Sequence, residues 1–82
     1  MDYAIVTVRM ERLDWQVDME LPAGMTLKEL SGKILETLKL YQEDKFEEVS
    51  ALRLFSNGRE LDGEGSLAAY GIWDGSILEV RE

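Results

Sequence analysis

Two runs near the start of the chain alternate between apolar and polar side chains with the period of a half-buried strand. In "YAIVTVRM", residues 3–10, Ala4, Val6, Val8 and Met10 share one face and Tyr3, Ile5, Thr7 and Arg9 the other. In "WQVDMEL", residues 15–21, Val17, Met19 and Leu21 oppose Gln16, Asp18 and Glu20. A polar "ERLD" joins the two runs, so the pattern predicts an antiparallel hairpin with one wet face. Pro22 and Gly24 then stop the second strand, because proline cannot donate to a ladder and glycine favours turns.

The period next changes to that of a helix. Thr26 and Glu29 form a T-x-x-E capping box. Leu27, Leu30, Ile34, Leu35 and Leu38 follow on one broad face, with Lys28, Lys33, Glu36 and Lys39 on the other. Gly32 costs such a helix about 1 kcal/mol relative to alanine, which the apolar face outweighs. "YQEDKFEEVSA", residues 41–51, reads as an acidic, solvated loop anchored by Phe46 and Val49.

"LRLF", residues 52–55, is a third strand, Asn57-Gly58 a hairpin turn and "REL" a brief fourth strand. "DGEGSLAAYGI" holds too many turn formers for a strand. It reads as a crossing loop with a short helical turn around Leu67–Tyr70. Asp74-Gly75 reverses the chain into "SILEV", the last strand. The order ββαβββ predicts one α+β domain over residues 1–82, a mixed four- to five-stranded sheet with one helix on one face. Its expected core is Val6, Val17, Leu21, Leu30, Ile34, Leu54, Leu61, Leu67, Ile72 and Leu78.

Composition narrows the chemistry. The 82 residues include neither cysteine nor histidine. That removes disulfides, thiolate metal sites, the commonest transition-metal ligand and the usual general base. Seventeen acidic against nine basic residues give a formal charge of −8, which repels nucleic acid and anionic membrane surfaces. A basic patch on a protein partner is the sharper reading of this charge, and solubility the plainer one. The apolar stretches are too short to insert into a membrane and the N-terminus does not read as a signal peptide, so a soluble, cytoplasmic protein is expected.

No catalytic constellation stands out. The carboxylate pairs Asp18/Glu20 and Glu47/Glu48 fall on a wet strand face and an acidic loop. Ser56 and Ser66 have no histidine to activate them, and Gly-Arg and Gly-Glu-Gly fit neither phosphate-loop pattern. Neither enzymatic activity nor a cofactor or metal is expected.

"LRLFSNGRELDGEGSLAAYGI" resembles the second half of ubiquitin, with Leu61, Leu67, Tyr70 and Ile72 in register. Thr26-Leu27, Leu30 and Ile34 fit its helix start, and Val17, Met19 and Leu21 its second strand. The resemblance spans nearly the whole chain and implies the ubiquitin-like β-grasp fold. It also implies that the Tyr70 hydroxyl ties the crossing loop to backbone near Asp62. A longer helix, a larger loop after it and "GIWDGSILEV" are closer still to the bacterial YukD/EsaB-like proteins encoded with type VII secretion systems.

The resemblance also frames function. Conjugating relatives and sulfur carriers end in a Gly-Gly tail, whereas Arg81-Glu82 follows the last strand directly and no glycine follows Gly75. The expectation is a non-conjugated ubiquitin-like interaction module, a cytoplasmic accessory or regulator of type VII secretion. The alternative is a modifier or sulfur carrier whose tail lies beyond Glu82. By resemblance, the partner surface is the outer sheet face, with Ile5 and Phe55 as apolar centre and Arg53 and Arg81 as rim. Glu79 and Arg81 depart from ubiquitin there, so its receptors do not carry over. Trp15 and Trp73 are expected to half-cover the core edges, with Trp73 a further candidate anchor. The expected partners are proteins of the secretion machinery, neither nucleic acid nor lipid, and the oligomeric state is left open.

Overall fold

Alternation builds the first half of the sheet. Strands β1 (Tyr3–Met10) and β2 (Trp15–Pro22) pair antiparallel, from Tyr3 opposite Pro22 to Met10 opposite Trp15. The computed structural model, which describes residues 2–41 and 43–82, buries Ala4, Val6, Val8 and Met10 and exposes Tyr3, Ile5 and Arg9. A 3₁₀ turn over Glu11–Leu13 and a left-handed Asp14 (φ 49°) make the connection. Pro22 does not stop β2 but ends it, buried opposite Tyr3. Because β2 is an edge strand, the missing N–H leaves no ladder bond unmade.

Helix α1 (Leu27–Tyr41) buries Leu27, Leu30, Ile34, Leu35 and Leu38, the face that the spacing marks out. Its first amides are satisfied in two ways. The Thr26 hydroxyl accepts from the Glu29 N–H at 3.3 Å, one half of the capping box. The Leu27 and Lys28 N–H groups donate to the carbonyls of Gly65 (2.8 Å) and Gly63 (3.0 Å) in the distant crossing loop. These donors lie beyond the helix's own ladder and need outside acceptors.

The segment expected as a loop contains a second, short helix, α2 (Glu43–Phe46). Phe46 is fully buried and meets Trp15 edge-on, with ring centroids 6.2 Å apart, while Val49 is buried behind it. A four-residue helix is too short for its periodicity to register in sequence, but its two anchors were legible.

Strands β3 (Arg53–Ser56) and β4 (Arg59–Glu60) form the second hairpin. Asn57 (φ 52°) and Gly58 (φ 80°) both take positive φ, as a type I′ turn demands. The chain then crosses to β5 (Ile77–Arg81), which enters the middle of the sheet, parallel to β1 and antiparallel to β3. The sheet order is β2-β1-β5-β3-β4.

The crossing loop is held by its own side chains. The Asp62 N–H donates to the Tyr70 hydroxyl at 2.9 Å, as the resemblance implies. Gly65 lies against the same ring, where an added Cβ would stand 2.6 Å from Tyr70 Cε2. A single helical turn runs through Leu67–Tyr70, with the Ser66 hydroxyl accepting from the Ala69 N–H at 3.1 Å. The expected core residues are buried except Val17, which is half-buried on the edge strand. Among the described residues no polar or charged side chain is buried.

Candidate protein-binding face

The core occupies one side of the sheet, and alternation sends a defined set of side chains to the other. β1 contributes Tyr3, Ile5, Thr7 and Arg9; β2 contributes Gln16, Asp18 and Glu20; β5 contributes Ile77, Glu79 and Arg81; β3 contributes Arg53 and Phe55. Register aligns Arg9, Glu79, Phe55 and Glu60 in one row across the strands. Asp18, Thr7 and Ile77 form another row, and Glu20 lies opposite Ile5.

One end of this face is basic and largely self-paired. Arg53 and Arg81 stand opposite each other on β3 and β5. Arg81 donates to Glu79 Oε1 through Nε (3.0 Å) and Nη2 (2.9 Å), and Arg53 Nη1 lies 3.5 Å from Glu60. Phe55 points away from the helix, as expected, but it is not an exposed apolar centre. It is only 6 % exposed, with the guanidinium carbons of Arg81 and Arg53 at 4.2 and 5.5 Å from its ring centroid. Arginine carries an apolar stem and a flat cation that stacks on aromatic faces, so the two rim residues roof the ring.

The other end is apolar and acidic. Ile5, Ile77 and Trp73 are 50 %, 52 % and 45 % exposed, so Trp73 is more open than a cover of the core edge. Trp15, by contrast, is half-buried against the core as expected. The loop carrying Trp73 is stitched to β1. Asp74 Oδ1 accepts from the Ile5 N–H at 2.8 Å, and the Gly75 N–H donates to the Ile5 carbonyl at 3.0 Å. Within the loop the Ser76 N–H donates to the Trp73 carbonyl at 3.0 Å, and the Ser76 hydroxyl accepts from the Trp73 N–H at 3.3 Å.

Ile5 therefore does not neighbour Phe55. It lies two strands and four residues from Phe55's row, which standard sheet spacings convert to about 16 Å. The five expected site residues separate into two groups: Ile5 and Trp73 at one end, Arg53, Phe55 and Arg81 at the other. Sequence reasoning missed Ile77. Its signal was its place two residues before Glu79, on the outward phase of β5.

Among the described residues no three His, Cys, Asp or Glu side chains gather closely enough to hold a metal ion. A depression of about 490 Å³ at the basic end is lined by Glu11, Arg12, Glu79 and Arg81 among others. Arg12 pairs with Glu82 and Arg81 with Glu79, so its charges largely satisfy one another. No helix among the described residues is long and apolar enough to cross a membrane.

With this geometry in view, residues 3–80 match a family model described as "WXG100 protein secretion system (Wss), protein YukD". The sequence matches no curated protein. Among solved structures, the chain is similar to the ubiquitin-like domain of the Mycobacterium tuberculosis type VII secretion system protein EccD1. The TM-score is 0.80 at 23 % identity, with 100 % of each chain covered. The EccD5 ubiquitin-like domain from Mycobacterium xenopi gives 0.81 at 18 % identity, covering 99 % of this chain and 94 % of that one. A ubiquitin-like domain from Arabidopsis thaliana gives 0.68 at 24 %, covering 99 % and 78 %. At these identities the structural likeness establishes the fold, which is ubiquitin-like.

Proposed function

The chain belongs to the YukD family, and from that premise we propose that it is a non-conjugated ubiquitin-like interaction module, a cytoplasmic accessory or regulator of type VII secretion. The observation that carries this reading is the open sheet face. One side of the sheet is consumed by the core, while the other presents Ile5 and Ile77 to solvent, beside the hydrogen-bonded loop that carries the exposed Trp73. Exposed large apolar side chains gathered in one place favour protein contact over plain solvation.

The module works by docking and not by catalysis. The sequence offers no histidine or cysteine, and Asp18, Glu20, Glu47 and Glu48 are all exposed. At the basic end Arg53 and Arg81 lie over Phe55 and pair with Glu60 and Glu79, so that end is largely satisfied within the chain. The tagged chain, expressed in its own host, is expected to co-purify with a component of the secretion machinery from the soluble cell fraction. Deleting its gene should lower export of WXG100 proteins. Normal export, with no component retained, overturns the proposal.

A further inference from the structure

The two ends of the outer face differ in how their charges are used. At the basic end Arg81, Arg53 and Arg12 are each paired with a carboxylate, on Glu79, Glu60 and Glu82. At the apolar end Asp18, Glu20 and Asp74 are exposed, and among the described residues none of them forms an ion pair. Asp18 accepts the Thr7 hydroxyl at 2.7 Å and Asp74 accepts the Ile5 N–H. Both carboxylates are thus held in place while their charge remains uncompensated.

These acids surround Ile5 and Ile77. Asp18 and Glu20 lie opposite Thr7 and Ile5, and Ile77 lies opposite Thr7 on its other side. Ile5 and Ile77 sit on neighbouring strands, about 8 Å apart by standard spacings, close enough to seat one large side chain between them. The register places Arg53 and Arg81 at the far end of the strands, and Arg9 one step beyond Thr7, opposite Glu79.

From this juxtaposition we infer that the Ile5–Ile77–Trp73 patch docks a basic protein segment. An apolar or aromatic anchor enters between the isoleucines, and flanking Lys or Arg side chains meet Asp18, Glu20 and Asp74. The inference rests on the docking role proposed above and names its partner class. Charge decides against the other occupants. A second copy packed face to face would set these uncompensated acids against their own counterparts, on a chain whose formal charge is already −8. Nucleic acid and anionic lipid are repelled by the same rim.

The test uses the intact 82-residue chain against overlapping peptides that tile the proteins encoded with its own secretion system. The bound peptides should combine Lys or Arg with a large apolar residue. Ile5→Thr/Ile77→Thr, which keeps β-branched side chains in the strands, should weaken binding roughly tenfold or more, as loss of a central anchor does. Asp18→Lys/Glu20→Lys should weaken it similarly and flatten its salt dependence. Lys33→Ala, on the exposed face of α1 across the sheet, should leave peptide affinity unchanged. Amide chemical-shift dispersion of each variant confirms that it remains folded.

The inference is overturned if no peptide binds, if the bound peptides are acidic or uncharged, or if binding survives both double substitutions. It is equally overturned if amide shifts on peptide addition spread over the acidic surface around Glu47 and Glu48 and do not centre on Ile5, Asp18 and Ile77. Retention of an intact machinery component by the wild-type chain in any of these cases leaves the docking role standing and removes only its assignment to this patch.

Discussion

A single missing side chain sets the path of the crossing loop. Gly65 has no unusual φ to explain it; its reason is the Tyr70 ring, which stands where a Cβ would go and is anchored by its hydroxyl to the Asp62 amide. Gly65→Ala must therefore displace either the ring or the backbone whose carbonyl receives the Leu27 N–H. We expect a loss of about 1–3 kcal/mol, the usual cost of overpacking, measured by urea unfolding. Gly65→Ala/Tyr70→Ala should lose less than the two single changes added together, because the clash disappears with the ring. Additive losses would show that the ring is not what excludes the side chain.

At the scale of elements, legibility follows how much of a signal is local. β1, β2 and α1 were readable because their buried residues recur at fixed spacing over eight to fifteen positions. The Asn57-Gly58 turn was readable because few residues tolerate its backbone. α2 was not, since its order comes from Phe46 docking on Trp15, thirty-one residues away in sequence. The burial of Phe55 was equally hidden. Its outward phase was correct, but its cover comes from Arg81 on another strand, and a pattern that scores arginine as polar cannot see its stem.

Two substitutions test these elements. Phe46→Ala should destabilise by about 3–5 kcal/mol and speed hydrogen exchange over residues 44–49 beyond the global loss. Phe55→Ala should cost about 2–3 kcal/mol in thermal or urea unfolding, below the 3–5 of a fully enclosed phenylalanine, because one of its faces meets only arginine side chains. A Phe55→Ala protein as stable as the wild type would mean the arginines do not hold the ring.

For the molecule as a whole, charge and topology dominate. Salt has opposing effects: it relieves the mutual repulsion of a chain carrying −8 and weakens exposed pairs such as Arg12–Glu82 and Arg53–Glu60. Surface pairs contribute about 0–1 kcal/mol each, so relief of the repulsion should win. Raising sodium chloride from about 10 to about 150 mM, which shortens the screening length from roughly 30 to 8 Å, should raise Tm by about 2–4 °C, the equivalent of half a kcal/mol in a domain of this size. A falling Tm would assign the larger share to the pairs. The same chain length and a single core predict one cooperative transition, seen identically by far-UV dichroism and tryptophan fluorescence.

The strand made last is the strand in the middle. β5 lies between β1 and β3, so until Ile77–Arg81 leaves the ribosome the sheet is two separate hairpins with an unfilled gap between them. The helix, translated long before, waits equally for Gly63 and Gly65 to cap its amides. A nascent chain of this protein therefore has no natively folded stage to pass through. Its apolar face stays uncovered until β5 arrives and then closes in one late step, so its exposure to chaperones and proteases is greatest just before that strand emerges.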